Sequence, residues 1–155
     1  LPISYGGVIQ DTPAAEWDKI FGVNVRGAFL CSRAVTDRMI GAGGGSIINI
    51  SSIWGEVGAS CEVAYSASKA ALIGFTRALS KELAPSGVHV NCISPGVIDT
   101  SMNAHLTQEE LEELIEQIPA GRIGTGEDVA KACAYLAEAQ YVTGVVLPVG
   151  GGFAK

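Results

Sequence analysis

Trp17, Ile20, Phe21, Asn24, Ala28 and Cys31 recur at three- and four-residue spacing, the period of a helix that hides one largely apolar face. Thr12 offers a capping hydroxyl, Pro13 suits a first turn, and Glu16 and Asp18 favour the positive end of the helix dipole. The pattern therefore predicts a helix over 12–39, ended by the glycine-rich stretch 41–45. The period then changes. Residues 46–51 (SIINIS) form a short β-branched run, as in a strand buried on both faces of a parallel sheet. A loop over 52–60 leads to a second predicted helix, 62–83, with Ala64, Ala67, Ala71, Phe75 and Leu79 as contact positions and Pro85 and Gly87 as its stop. Residues 88–93 read as the next strand, turned by Pro95 and Gly96. A strongly acidic helix over 107–117 with a lead-in at 103–107, a further helix over 126–138 and a last strand at 145–147 complete the pattern.

That order implies parallel strands joined by right-handed crossovers in an open α/β sheet with helices on both faces. Ligands of such sheets sit at the carboxyl ends of the strands, so chemistry is expected after Ile50, Ile93 and Leu147. A chain of 155 residues without internal repeat or linker suits one domain with one core.

Composition narrows the partners. A formal charge of −6, with no Lys/Arg run, offers no electrostatic footprint for nucleic acid or an anionic membrane surface. Cys31, Cys61, Cys92 and Cys133 lie far apart with no Cys-x-x-Cys pair, which argues against a metal knuckle or a disulfide framework. They read as reduced thiols of a cytoplasmic protein. No apolar run approaches the ~18 residues of a membrane span, and the first residues carry no basic-then-apolar leader.

The strongest chemical signal is Tyr65-Ser66-Ala67-Ser68-Lys69, which puts a phenol and an ammonium on one helix face, four residues apart. Ser52 stands thirteen residues earlier at the end of a strand, and Asn24 lies midway along the first helix. A phenol is a poor acid or base at neutral pH, but at about 5 Å and an effective dielectric of ~20 a lysine would stabilise the phenolate by ~3 kcal/mol, roughly two pKa units. A depressed pKa is therefore expected for Tyr65. Ser52 could donate to a carbonyl oxygen, Tyr65 could deliver a proton, and Lys69 could shift Tyr65 and hold a ribose hydroxyl.

In order and spacing, Asn24, Ser52, Tyr65 and Lys69 resemble the Asn-Ser-Tyr-Lys tetrad of the short-chain dehydrogenase/reductase family. The resemblance extends to residues 21–25 (FGVNV), 48–52 (INISS) and 91–100 (NCISPGVIDT). It implies a Rossmann-like doubly wound parallel sheet, of which residues 1–155 form the C-terminal part of a single domain with about three strands. It also implies a nicotinamide cofactor, with NADP(H) favoured over NAD(H). By the same resemblance Asn24 would hold a water in a proton relay ending at Lys69, the Ile98 backbone would meet the nicotinamide carboxamide, and Thr100 would bond the carboxamide or pyrophosphate. Pro95 and Gly96 would shape the turn. Gly150-Gly151-Gly152 is similar to the family's C-terminal glycine segment, whereas the glycines at 41–45 precede a strand and so read as a connector, not a phosphate loop. The Thr-Gly-x-x-x-Gly-x-Gly and Asn-Asn-Ala-Gly segments of the family's dinucleotide-binding half do not occur, so a truncated chain that binds the dinucleotide weakly by itself is expected.

Within the family, residues 119–124 (PAGRIG) and the chain as a whole are similar to 3-oxoacyl-[acyl-carrier-protein] reductases. Only Arg38 and Lys81 stand where such enzymes dock their acidic carrier with basic residues. The stretch 54–62 (WGEVGASCE) resembles 5-aminopentanone reductases acting on a modified lysine of elongation factor P; Trp54, Glu56 and Glu62 would line the substrate mouth, and the two carboxylates would suit an amine. A non-catalytic scaffold that keeps the fold is the contrasting expectation. Relatives associate through the Asn-bearing and Tyr-bearing helices, so a homodimer or homotetramer is expected.

Overall fold

The computed structural model describes residues 3–101 and 107–153. Three parallel strands, β1 (Gly45–Ile50), β2 (Val88–Pro95) and β3 (Val146–Val149), lie in the order β1-β2-β3 with helices packed against them. Before β1 the chain forms α1 (Ala14–Phe21), a π-helical turn (Gly22–Arg26) and α2 (Gly27–Gly41). Between β1 and β2 lie α3 (Trp54–Val57) and α4 (Val63–Leu83); α5 (Gln108–Glu116) and α6 (Gly126–Glu138) precede β3. This is the expected α/β fold.

The register pairs Ile47 with Val90 and Asn49 with Cys92, so these side chains share the face covered by α4. Leu79 and Leu83 of α4 and Met39 of α2 pack there on Val88, Val90 and Ile47, and burial of that apolar surface is the main force fixing α4 to the sheet. Thr125 and Asp128 form a reciprocal capping box that starts α6 at the predicted residue. Thr107 and Glu110 do the same for α5; the expected lead-in at 103–106 lies outside the described residues.

Four sequence expectations need correction. The helix predicted over 12–39 begins at Ala14, because the Thr12 hydroxyl donates to the Val8 carbonyl at 3.1 Å and closes a 3₁₀ turn instead of capping. The same helix is interrupted at Gly22–Arg26, where the Gly27 N–H reaches back to the Gly22 carbonyl, one residue further than in an α-helix. The loop expected over 52–60 contains the four residues of α3. β3 is also displaced, ending at Val149; as an edge strand it accepts Pro148, whose missing N–H forfeits no ladder bond.

Candidate active site

Beyond the last residue of β1, the Ser51 N–H donates to the Ile93 carbonyl at 2.8 Å and the Ile53 N–H to the Pro95 carbonyl at 2.9 Å. The ladder thus continues past the strand and fixes Ser52 at its carboxyl end. The Ser52 hydroxyl accepts the Trp54 N–H at 3.2 Å and hydrogen-bonds the Tyr65 phenol. Tyr65 lies in the first turn of α4, and Lys69 follows one turn later with its Nζ 5.5 Å from the Tyr65 ring centre. Both are buried, with Lys69 only 2% exposed.

Lys69 is gripped at both ends. Its Nζ donates to the Ile50 carbonyl at 2.9 Å, and the Ser51 hydroxyl donates to the Lys69 carbonyl at 2.8 Å. Gly55 makes this approach possible: a Cβ there would lie 2.7 Å from the Lys69 carbonyl carbon and 2.9 Å from the Ala70 nitrogen.

These side chains border one cavity of about 580 Å³ at the carboxyl ends of β1 and β2. Ser52, Tyr65 and Lys69 line it from one side, Pro95, Gly96, Ile98 and Thr100 from another, and Trp54 and Glu62 from the loop and short helix between. Of the eleven positions singled out from the sequence, Asn24 and Glu56 alone are not part of the lining. Glu56 is exposed on α3. The Asn24 carboxamide is buried between chain segments: its Oδ1 accepts the Ile3 N–H at 3.1 Å, and its Nδ2 donates to the Ile3 carbonyl and the Ser68 hydroxyl, each at 3.0 Å. With both amide hydrogens taken, the side chain ties segments together.

Sequence reasoning missed part of the wall. Phe153 meets the Trp54 ring edge-on at a centroid distance of 5.6 Å, and Leu114 of α5 and Val129 of α6 also line the cavity. Ile53, Ile118 and Phe153 form a small apolar cluster behind Trp54. The only sequence signal for these residues is their apolar character on otherwise polar elements, because they come from distant parts of the chain.

Electrostatics overturn one expectation. Burial raises the Tyr65 pKa above its ordinary value; the Ser52 hydrogen bond pulls it down, and the negative charge of Glu62 pushes it further up. Burial also brings Lys69 down to about 8, with a Coulombic contribution from nearby Cys92 in the opposite direction. The direction is thus opposite to the expected lysine-driven fall of Tyr65: removal of the phenolate from water dominates, and the lowering influence comes from Ser52. Glu62 is itself raised by burial, and one of its carboxylate oxygens has no hydrogen-bond partner.

A family model described as "Enoyl-(Acyl carrier protein) reductase" matches residues 3–154. The chain is 41% identical over 152 residues to the uncharacterized oxidoreductase YmfI of Bacillus subtilis, covering 97% of this chain and 63% of that protein. It is 45% identical over 139 residues to the 3-oxoacyl-[acyl-carrier-protein] reductase FabG of Aquifex aeolicus, covering 88% of this chain and 56% of that one. A crystal structure of 3-oxoacyl-[acyl-carrier protein] reductase from Brucella melitensis superposes with a TM-score of 0.94 at 34% identity, over 99% of this chain and 60% of that chain. The chain therefore spans roughly three-fifths of the length of the relatives it matches. With the sheet and these matches in agreement, the chain belongs to the short-chain dehydrogenase/reductase family.

Proposed function

We propose that the protein is an NAD(P)H-dependent reductase of a ketone group, of the 3-oxoacyl-[acyl-carrier-protein] reductase type. The observation that carries this reading is the convergence of Ser52, Tyr65 and Lys69 on one cavity beside the Pro95–Gly96 turn. The donor set there suits the nicotinamide end of a dinucleotide: Lys69 offers an ammonium for ribose hydroxyls, and Thr100 a hydroxyl for a carboxamide or phosphate. Tyr65, Lys69, Pro95, Gly96, Ile98 and Thr100 would hold that end, and the cofactor would supply the hydride.

The remaining chemistry falls to the chain's own side chains. The Ser52 hydroxyl donates to the substrate carbonyl oxygen and fixes it beside the phenol. Tyr65, held protonated at neutral pH by burial and by Glu62, is an acid ready to protonate the oxygen as it becomes an alkoxide. Lys69 supplies positive charge one turn below and recharges the Tyr65 proton. Asn24 acts at a distance, by holding the elements that carry Tyr65.

The unpartnered Glu62 oxygen at the cavity favours a second substrate reading, a ketone bearing an amine, as in a 5-aminopentanone reductase acting on modified elongation factor P. Glu62, not Glu56, would receive the cation. The third possibility, a non-catalytic scaffold, leaves the Ser52–Tyr65–Lys69 arrangement without a purpose. NADP(H) is preferred to NAD(H) on the resemblance to reductases. Exposed Phe29, Leu30, Val35 and Ile40 on α2 support assembly into a homodimer or homotetramer, and four free cysteines suit a reducing, cytoplasmic setting. Among the described residues no helix is long and apolar enough to cross a membrane.

The test is a spectrophotometric assay of the full-length protein with NADPH or NADH against a 3-oxoacyl thioester and a 5-amino-2-ketone. Oxidation of either nicotinamide dependent on a ketone supports the reading, and the preferred pair assigns cofactor and substrate. No ketone-dependent oxidation with either cofactor defeats it.

A further inference from the structure

We propose that Ser68 is a positioning residue that locks the Asn24 carboxamide onto the turn of α4 bearing Tyr65. The inference rests on the reductase reading for its kinetic consequence, while its structural basis stands alone. Ser68 is fully buried. Its hydroxyl donates to the Tyr65 carbonyl at 2.8 Å and accepts the Asn24 Nδ2 hydrogen at 3.0 Å.

The direction of every bond in this chain is determined. The Ile3 backbone presents one N–H and one carbonyl to Asn24, so Oδ1 must face the first and Nδ2 the second. The remaining Nδ2 hydrogen leaves Ser68 only the role of acceptor on that side. Its single proton is then committed to the Tyr65 carbonyl, and reversing any one bond would leave a buried group unpaired.

The need for such a tie lies at the start of α4. The helix begins after Glu62, whose side chain makes no capping hydrogen bond, and Tyr65 is only its third residue. An uncapped first turn is the part of a helix that frays most readily. The Ser66 hydroxyl, accepting the Ala59 N–H at 3.2 Å, steadies this turn from the outer side; Ser68 and Asn24 hold it from within. Ser80, near the other end of α4, provides an internal comparison. Its hydroxyl makes the same three-residue back-bond, to the Arg77 carbonyl at 3.0 Å, far from the cavity.

The test compares Ser68→Ala, Ser68→Cys and Ser80→Ala in the full-length protein, with thermal unfolding of Ser68→Ala, Asn24→Ala and the double variant beside kinetics. Ser68→Ala should lower kcat about tenfold or more with the ketone KM within about twofold, since the loss is of orientation and not of binding. Ser68→Cys, which retains an acceptor for Asn24, should recover part of the rate, and Ser80→Ala should leave kcat unchanged. The double variant should lose less in unfolding temperature than the sum of the two single losses, because the bond between the two side chains is counted in both. Additive losses in unfolding temperature, or a Ser68→Ala kcat no lower than that of Ser80→Ala, would overturn the proposal. If the unsubstituted protein reduces no ketone, the reductase reading fails, and unfolding alone decides whether Ser68 and Asn24 are coupled.

Discussion

Lys69 donates to the main-chain carbonyl of Ile50 across 2.9 Å, so an ammonium from a helix is held by the last residue of a strand. Burial brings that ammonium down from 10.5 to about 8. Between those values the unfolded chain binds more protons at this residue than the folded one, and stability must rise with pH across the window. Below about 8 both states are charged and the slope disappears. Urea unfolding at several values from pH 7 to pH 10 should show a gain of up to ~3 kcal/mol that a Lys69→Met variant lacks. A parent curve as flat as the variant's would mean that Lys69 is far better solvated than its position implies.

Tyr65→Phe separates an enzyme from a scaffold. The ring is buried and is retained by phenylalanine, so folding should survive with only the Ser52 hydrogen bond lost. Removing the proton donor should lower kcat by about 10²–10⁴. Circular dichroism alongside the ketone assay reads both quantities, and full activity in the variant would remove Tyr65 from the chemistry.

Glu62→Gln should change two pH profiles in predictable directions. The anion raises Tyr65, so its removal lets Tyr65 fall and moves the alkaline limb of ketone reduction to lower pH. Glu62 is raised above its ordinary 4.5 by burial, so its carboxylate form costs stability at neutral pH that the protonated form does not. The glutamine variant should therefore unfold at a higher temperature than the parent near pH 7, with the difference vanishing below about pH 4.5. An alkaline limb that stays in place would show that Glu62 and Tyr65 do not sense one another.

Gly55→Ala probes how closely α3 lies on α4. The new methyl would sit 2.7 Å from the Lys69 carbonyl carbon and 2.9 Å from the Ala70 nitrogen, and that backbone cannot give way without moving Lys69. A loss of ~1–3 kcal/mol in unfolding free energy is expected, with a fall in kcat/KM. Parental stability in this variant would indicate that the two helices are loosely apposed.

Most of the architecture was legible because local signals and burial agree. β1 and α4 were readable from a β-branched run and an apolar face, and α6 starts at the expected Gly126, where the structure shows a Thr125–Asp128 box capping it. α3 was hidden because four residues carry too little pattern, and its place depends on Gly55 meeting Lys69 across the chain. The wide turn in the first helix was invisible for the opposite reason. Its periodicity runs unbroken through Asn24, and the irregularity becomes apparent only with the bonds to Ile3 and Ser68. At the site, spacing indicates which groups meet but not how wet they are, so burial reverses the direction that spacing predicts for Tyr65. Likewise the stretch between Ser52 and Tyr65 could not say which glutamate faces inward; α3 leaves Glu56 exposed while Glu62 borders the cavity.

The wide turn at Gly22–Arg26 makes the count of residues, more than their identity, the thing that must be preserved there. An α-helix advances about 100° per residue, so removing Gly22 or Val23 would turn Asn24 by up to about that angle relative to Ile20. Asn24 could not then face Ile3 and Ser68 while Ile20 kept its buried seat. Point substitutions at Val23 or Val25 leave that phase intact, whereas a one-codon deletion destroys it.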